Sequence, residues 1–225
     1  MSRIKLIFEG NGVALKGSIQ HLPAGFVHGL LGHNEYHDSF SNYAISPIIG
    51  SHYDKESGLI VFDEHPYIFV SSPNEKFMCE LAMQISKAFN AYMGAMKLSS
   101  IFETNFHVHE DYDIALTVGP ILLKTKGDKI VTFQDDNFEE ILTNNCIQKL
   151  IKNGMDEGKA KTLKISLINK DKAKIKKVFV HKVTNITSQV MLRISGDREA
   201  RRMIYEMGLG KSTGCGFGTV VTLKK

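Results

Sequence analysis

No two cysteines in this 225-residue chain stand in C-x-x-C spacing, and the three present, Cys79, Cys146 and Cys215, are an odd number set far apart. That argues against a disulfide framework and against a zinc site built on thiolates. No apolar run approaches the roughly 20 residues that a membrane-spanning helix needs. Charges also interrupt residues 1–20, where a signal peptide would need an apolar stretch. The expectation is a cytoplasmic protein with no membrane partner. Acidic side chains are scarce in one third of the chain. Residues 159–225 hold 16 Lys and Arg against 4 Asp and Glu, a net of +12, while residues 1–158 hold 12 against 20, a net of −8. Such a separation suggests an anionic partner, most simply nucleic acid. A lysine-rich solvated surface is the blander alternative. With 43% hydrophobic and 23% charged residues, the chain has an ordinary globular composition, long enough for one large core or two small ones.

Apolar periodicity divides the chain into two halves of mixed elements. Residues 3–9 alternate as a strand, and a short helix is expected over 24–31, behind Pro23. Residues 43–49 read as a strand, and 59–62 with 67–70 as a hairpin. A helix is expected over 75–92, with a broad apolar stripe from Phe77 to Phe89, and a strand over 98–108. The order β-α-β-β-α-β is that of the ferredoxin-like unit. The second half repeats it more loosely, with strands over 114–125, 163–168, 175–182, 190–195 and 219–223. Its helices are expected over 138–152, ending at Asn153-Gly154, and over 197–207, with Asp197 as N-cap. The fold class expected is α+β, two tandem ferredoxin-like (RRM-like) domains over 1–110 and 111–225. The duplication rests on element order, since no sequence repeat relates the halves.

The segment MGLGKSTGCGFGTV carries the strongest motif: Gly208, Gly210, Gly214, Gly216 and Gly218 fall within eleven residues. Glycine permits positive φ and close backbone approach, and a loop of exposed N–H groups beside Lys211, Ser212 and Thr213 could cradle a phosphate. The string GKST is not a P-loop. That motif needs glycine where Tyr205 stands, and it opens a helix rather than following one. A helix leading into YEMGLGKSTGCGFGTVV and a terminal strand resembles the glycine-rich signature of the repeat-processing endoribonucleases of CRISPR systems, within the superfamily of repeat-associated RNA-binding proteins. TVGPILLK at 117–124 resembles the stretch that opens the family's second domain. YHDSFSNYAISPIIG at 36–50 resembles its histidine segment. The resemblance implies two ferredoxin-like folds and a CRISPR repeat RNA as partner. It also implies metal-independent cleavage within each repeat, leaving a 2′,3′-cyclic phosphate and a 5′-hydroxyl. No cofactor and no metal are expected. A CRISPR effector complex and a second copy of the chain stay open as partners. So does the alternative of a non-cleaving RNA-binding subunit of such a complex.

His37 best matches the family's catalytic histidine. Attack of a ribose 2′-OH on its own phosphate needs a group that exchanges protons near neutral pH, which histidine does. His33 is the alternative or a second proton-transfer partner, and His28 reads as structural. Tyr36 and Lys16 are weaker candidates for orienting the phosphate. Lys174, Lys176, Lys177 and Lys182, with Arg193, are expected to bind RNA phosphates, together with Gly210, Lys211, Ser212, Gly214 and Gly216 of the loop. Arg198, Arg201 and Arg202 on the last helix are expected to extend that patch. His107 and His109 share a strand parity but lack obvious further ligands, so zinc is not favoured. Asp135, Asp136, Glu139 and Glu140 suit a helix start.

Overall fold

Glycine and proline decide where most elements break. In the computed structural model, which describes residues 1–32, 42–88, 90–125, 127–180 and 183–223, the first half runs β1 (Arg3–Glu9), β2 (Ala14–Leu15), α1 (Leu22–Leu31), β3 (Ala44–Ile45), β4 (Ile49–Asp54), β5 (Leu59–Ser71), α2 (Glu75–Lys87), β6 (Tyr92–Met93) and β7 (Met96–Glu103). The second half runs β8 (Tyr112–Thr117), β9 (Leu123–Lys124), β10 (Ile130–Val131), α3 (Phe138–Lys152), α4 (Glu157–Lys161), β11 (Lys164–Ile168), β12 (Lys174–Val180), β13 (Val183–Gln189), β14 (Met191–Ser195), α5 (Arg198–Met207) and β15 (Val220–Thr222).

The second half shows the topology most plainly. Its four-stranded sheet has the order β11-β14-β8-β15, every pair antiparallel. Numbered within the β-α-β-β-α-β unit, that order is 2-3-1-4, the ferredoxin-like arrangement. Helices α3 and α5 cover one face, where Leu142, Cys146, Leu150, Ile204 and Tyr205 share a core with Ala115, Leu192 and Ile194. In the first half β5, β1 and β7 lie side by side, with β4 and β3 on the far side of β5. Helices α1 and α2 bury Phe26, Val27, Phe77, Met78 and Leu81 against Ile4, Leu6 and Phe8. Alternation sends Lys5, Tyr67 and Phe69 to the other, open face of that sheet.

Three expectations differ. Residues 59–71 form one 13-residue strand rather than a hairpin. The intervening Asp63-Glu64-His65-Pro66 holds no glycine or asparagine for a tight turn, and these residues are the extra length of β5 at the register shift opposite Ile49 and Ser51 of β4. Helix α2 stops at Lys87, because residues 92–97 instead make a tight hairpin around Gly94, with Met93 opposite Met96. The strand expected over 114–125 breaks after Thr117, where Gly119-Pro120 follows. A Cβ on Gly119 would stand 2.6 Å from the Gly216 carbonyl oxygen.

A buried ion pair ties the second domain together. Arg201, fully buried, donates to Asp113 Oδ2 at 2.7 Å, and the Tyr205 hydroxyl donates to the same oxygen at 2.8 Å. Three further guanidinium N–H groups donate to the carbonyls of Gly196, His109 and Glu110. Arg201 is therefore structural and not, as the sequence suggested, part of a basic surface. Removing one member of such a fully bonded pair strands the other charge, which typically costs about 3–5 kcal/mol. No helix among the described residues is long and apolar enough to cross a membrane.

Candidate nucleic-acid interface

The glycine loop, residues 208–218, is mostly buried rather than an open cradle. It wedges between the two halves. Thr213 Oγ1 donates to the Tyr43 carbonyl at 2.8 Å and Thr219 Oγ1 to the Ile45 carbonyl at 3.1 Å, so β3 of the first half lies beneath the loop of the second. A Cβ on Gly214 would stand 2.7 Å from the Tyr43 ring, and one on Gly218 would overlap the Leu209 carbonyl oxygen. Glycine is thus required by contact with other parts of the protein. The amides of Leu209, Lys211, Cys215 and Gly218 are already spent, donating to Gly218 O, Leu122 O, Ser212 O and Pro120 O. Gly214 and Gly216 are buried, while Ser212 is exposed and Lys211 half-buried at the loop's outer edge. The expectation of a row of free amides needs this correction.

His33, Tyr36 and His37 lie outside the described residues. The flanks of their segment, however, are held at the glycine loop. Tyr43 stacks on Phe77 at 4.9 Å, its hydroxyl lies 3.1 Å from His28 Nε2 of α1, and its ring covers Gly214. His28, which the sequence reads as structural, is half-buried in the last turn of α1 with its Nε2 engaged at that hydroxyl. Tyr43 joins the last described residues before the segment to the first after it, both against the loop.

The basic residues fall on two surfaces. Lys174, Lys176 and Lys177 are exposed on the β12–β13 hairpin, a two-stranded ribbon outside the main sheets. Phe179, Val183 and Ile186 are also exposed there, and Lys182 lies outside the described residues. The turn end of the ribbon, through Val178 and Val180, packs with Leu122 and Phe217, which joins it to the glycine loop. Ser18 donates to the Phe179 carbonyl at 2.9 Å, bringing the loop of exposed Lys16 to the same ribbon. Arg193 is elsewhere, on the open face of the second sheet, its guanidinium 4.5 Å above the Tyr112 ring. The first sheet carries a like pair on its open face, Lys5 over Tyr67 at 3.8 Å. Aromatic rings beside cations on open strands are what bases stack on, a grouping that strand pairing creates.

Two buried cations went unread in the sequence. Arg3 is 4% exposed, between the Phe69 and Phe106 rings, and burial pulls its pKa down to about 10. Lys149 is equally buried, and its Nζ donates to the Gly208 carbonyl at 3.0 Å. A signal for Lys149 was present. It occupies the same helical stripe as Leu142, Cys146 and Leu150, a lysine at a core position. Among the described residues no cluster of three or more His, Cys, Asp or Glu side chains is placed to hold a metal ion. His107 and His109 meet edge to face at 4.5 Å, and His109 Nε2 lies 3.3 Å from the Leu223 carbonyl.

The family profile described as CRISPR associated protein Cas6, C-terminal, matches residues 107–222, more than half of the chain. The chain belongs to the Cas6 family. Solved structures agree in fold. An RAMP protein binding different RNA substrates superposes with a TM-score of 0.82 at 19% identity, covering 100% of both chains. The product of a Cas6-related gene from Pyrococcus furiosus gives 0.82 at 20% identity, covering 100% of this chain and 99% of that one. A Cas6 product complex gives 0.70 at 11% identity, with 99% of each chain covered. No curated protein sequence matches this chain at a significant level. Cas6 membership makes this a CRISPR-associated protein of tandem ferredoxin-like architecture, as the glycine-loop resemblance implied.

Proposed function

We propose that this protein is an endoribonuclease that cuts CRISPR precursor RNA within each repeat, without a metal. In this reading the 2′-hydroxyl attacks the adjacent phosphate and the 5′-oxygen leaves, giving a 2′,3′-cyclic phosphate and a 5′-hydroxyl. His37 moves the proton as general base or acid, with His33 as its partner or its replacement, and Tyr36 orients the phosphate. The hairpin lysines Lys174, Lys176 and Lys177, with Lys182, hold the RNA backbone, and Arg193 stacks or pairs with it on the open sheet. One observation carries the reading: in a Cas6-family chain, both described flanks of the histidine segment converge on the glycine loop through Tyr43. A second reading is a non-cleaving RNA-binding subunit of an effector complex, and a RAMP protein described as binding different RNA substrates fits RNA binding in either case.

One assay separates the two. The purified protein is incubated with a repeat RNA in excess EDTA. Cleavage is expected to persist, to fall by about 10²–10⁴ in His37→Ala with RNA affinity nearly intact, and to stop when the nucleotide 5′ of the cut is a deoxyribonucleotide. Tight binding with no cleavage by the unmutated chain would establish the second reading. Activity lost in EDTA and restored by a divalent ion would discard the mechanism.

A further inference from the structure

Between the C-terminal half of α3 and the outer edge of the glycine loop lies a cleft of about 490 Å³, whose walls include Gln148, Lys149, Lys152, Lys211, Ser212 and Thr213. Of the described residues that line it, three are lysines and none is acidic. Lys149 forms its deepest charge, 4% exposed, with one donor engaged by the Gly208 carbonyl. No carboxylate among the described residues pairs with Lys149. An ammonium has three donors, and a buried charge without a counter-charge is costly. Burial accordingly pulls the Lys149 pKa down to about 8. Lysines at a helix C-terminus can simply complement its dipole, and Lys152 serves there. Lys211 is not on the helix, however, and Lys149 turns to the loop, so the three converge from two elements onto one concave space.

We propose that this cleft binds a phosphate group, and that its occupant is a backbone phosphodiester of the bound RNA, on the side of the glycine loop away from Tyr43. A dianionic or diester phosphate supplies the missing counter-charge, and its oxygens accept from the lysines as well as from the exposed Ser212 hydroxyl. RNA is the source because the cleft is continuous with the interface. The Lys211 amide donates to the Leu122 carbonyl at 2.8 Å, and Leu122 packs against Val178 and Val180 at the turn end of the lysine-bearing β12–β13 hairpin. A strand held by the hairpin therefore has a positive path along the loop edge to α3. The RNA assignment rests on the proposed function, whereas the presence of an anion site does not.

The test uses the full chain and two probes. Lys152→Gln/Lys211→Gln leaves the structural Lys149 in place, and Lys211→Gln alone serves if the double variant folds poorly. For repeat RNA, the slope of log affinity against log salt should fall by about 0.7 for each single-strand phosphate that the variant no longer neutralises. In the unmutated chain, bound RNA should protect Lys152 and Lys211 from acylation by a lysine-reactive reagent. Inorganic phosphate should raise the melting temperature of the unmutated chain more than that of the variant. An unchanged salt slope together with unprotected lysines overturns the RNA assignment, and a phosphate-dependent stabilisation alongside it would make the cleft a site for a free anion. RNA binding absent from the unmutated chain overturns the proposed function, and the RNA assignment with it. No differential response to inorganic phosphate and no change in slope overturn the anion site altogether.

Discussion

At the scale of single residues, the buried cation Lys149 sets a pH dependence whose sign can be worked out. Burial lowers its folded pKa from 10.5 to about 8. Between those values the unfolded chain binds more protons than the folded one, so stability rises with pH across that window. From pH 8 to 9 the rise should be about 1 kcal/mol. Across the same window the thiols oppose it, since burial pushes Cys146 up to about 12 and raises Cys215, leaving both protonated in the fold while unfolded thiols ionise. Urea unfolding at pH 8 and pH 9 should therefore give a stability change more favourable by about 1 kcal/mol in the unmutated chain than in Lys149→Met, the thiols being common to both. A rise that survives the substitution would trace it to another group.

At the scale of elements, the glycine loop acts as a wedge whose separate glycines do different work. Gly214 has the Tyr43 ring against it, and a Cβ there would sit 2.7 Å from that ring. Gly216 has φ of 92° but open space around it, the nearest atom being 3.7 Å from an added Cβ. Gly214→Ala should cost roughly 1–3 kcal/mol by overpacking. It should also reduce single-turnover cleavage more than RNA affinity, because Tyr43 flanks the histidine segment. Gly216→Ala should cost about 1 kcal/mol of backbone strain and leave the cleavage-to-affinity ratio near that of the unmutated chain. Equal effects of the two on cleavage would show that the Tyr43 contact does not position the segment.

At the scale of the whole molecule, the excess positive charge of residues 159–225 is spread over unlike places. Arg201 is spent inside a domain core, Arg193 lies on an open sheet, and Lys174, Lys176 and Lys177 are exposed on a two-stranded ribbon outside the main sheets. Only the last group is both clustered and free of core packing. Replacing its three lysines by alanine should change stability by no more than about 0.5 kcal/mol. RNA binding measured across a salt series should weaken, with the slope flattened by about 0.7–0.9 for each phosphate left without its lysine. An unchanged slope would leave the ribbon a solvated surface and shift the interface to the open sheet faces.

Helices α3 and α5 were legible residue by residue, because amphipathic periodicity and caps act within one or two turns. Asp197, for example, accepts from the amides of Glu199 and Ala200 as its position suggested. The order of strands and helices was legible for the same local reason, and with it the ferredoxin-like class. The glycine loop was legible as a motif, since five glycines in eleven residues demand an explanation. Its role was not, because whether a glycine serves an open cradle or a tight contact depends on what lies opposite. Here that is Tyr43, some 170 residues away in sequence. Likewise Arg201 and Arg193 look alike in a charge count, and only the packing of α5 on Asp113 makes one a core ion and the other a surface cation. Charge totals and periodicities are properties of neighbours along the chain. Burial, counter-charges and the joining of the two halves at the loop are properties of neighbours in space, which the folded structure alone decides.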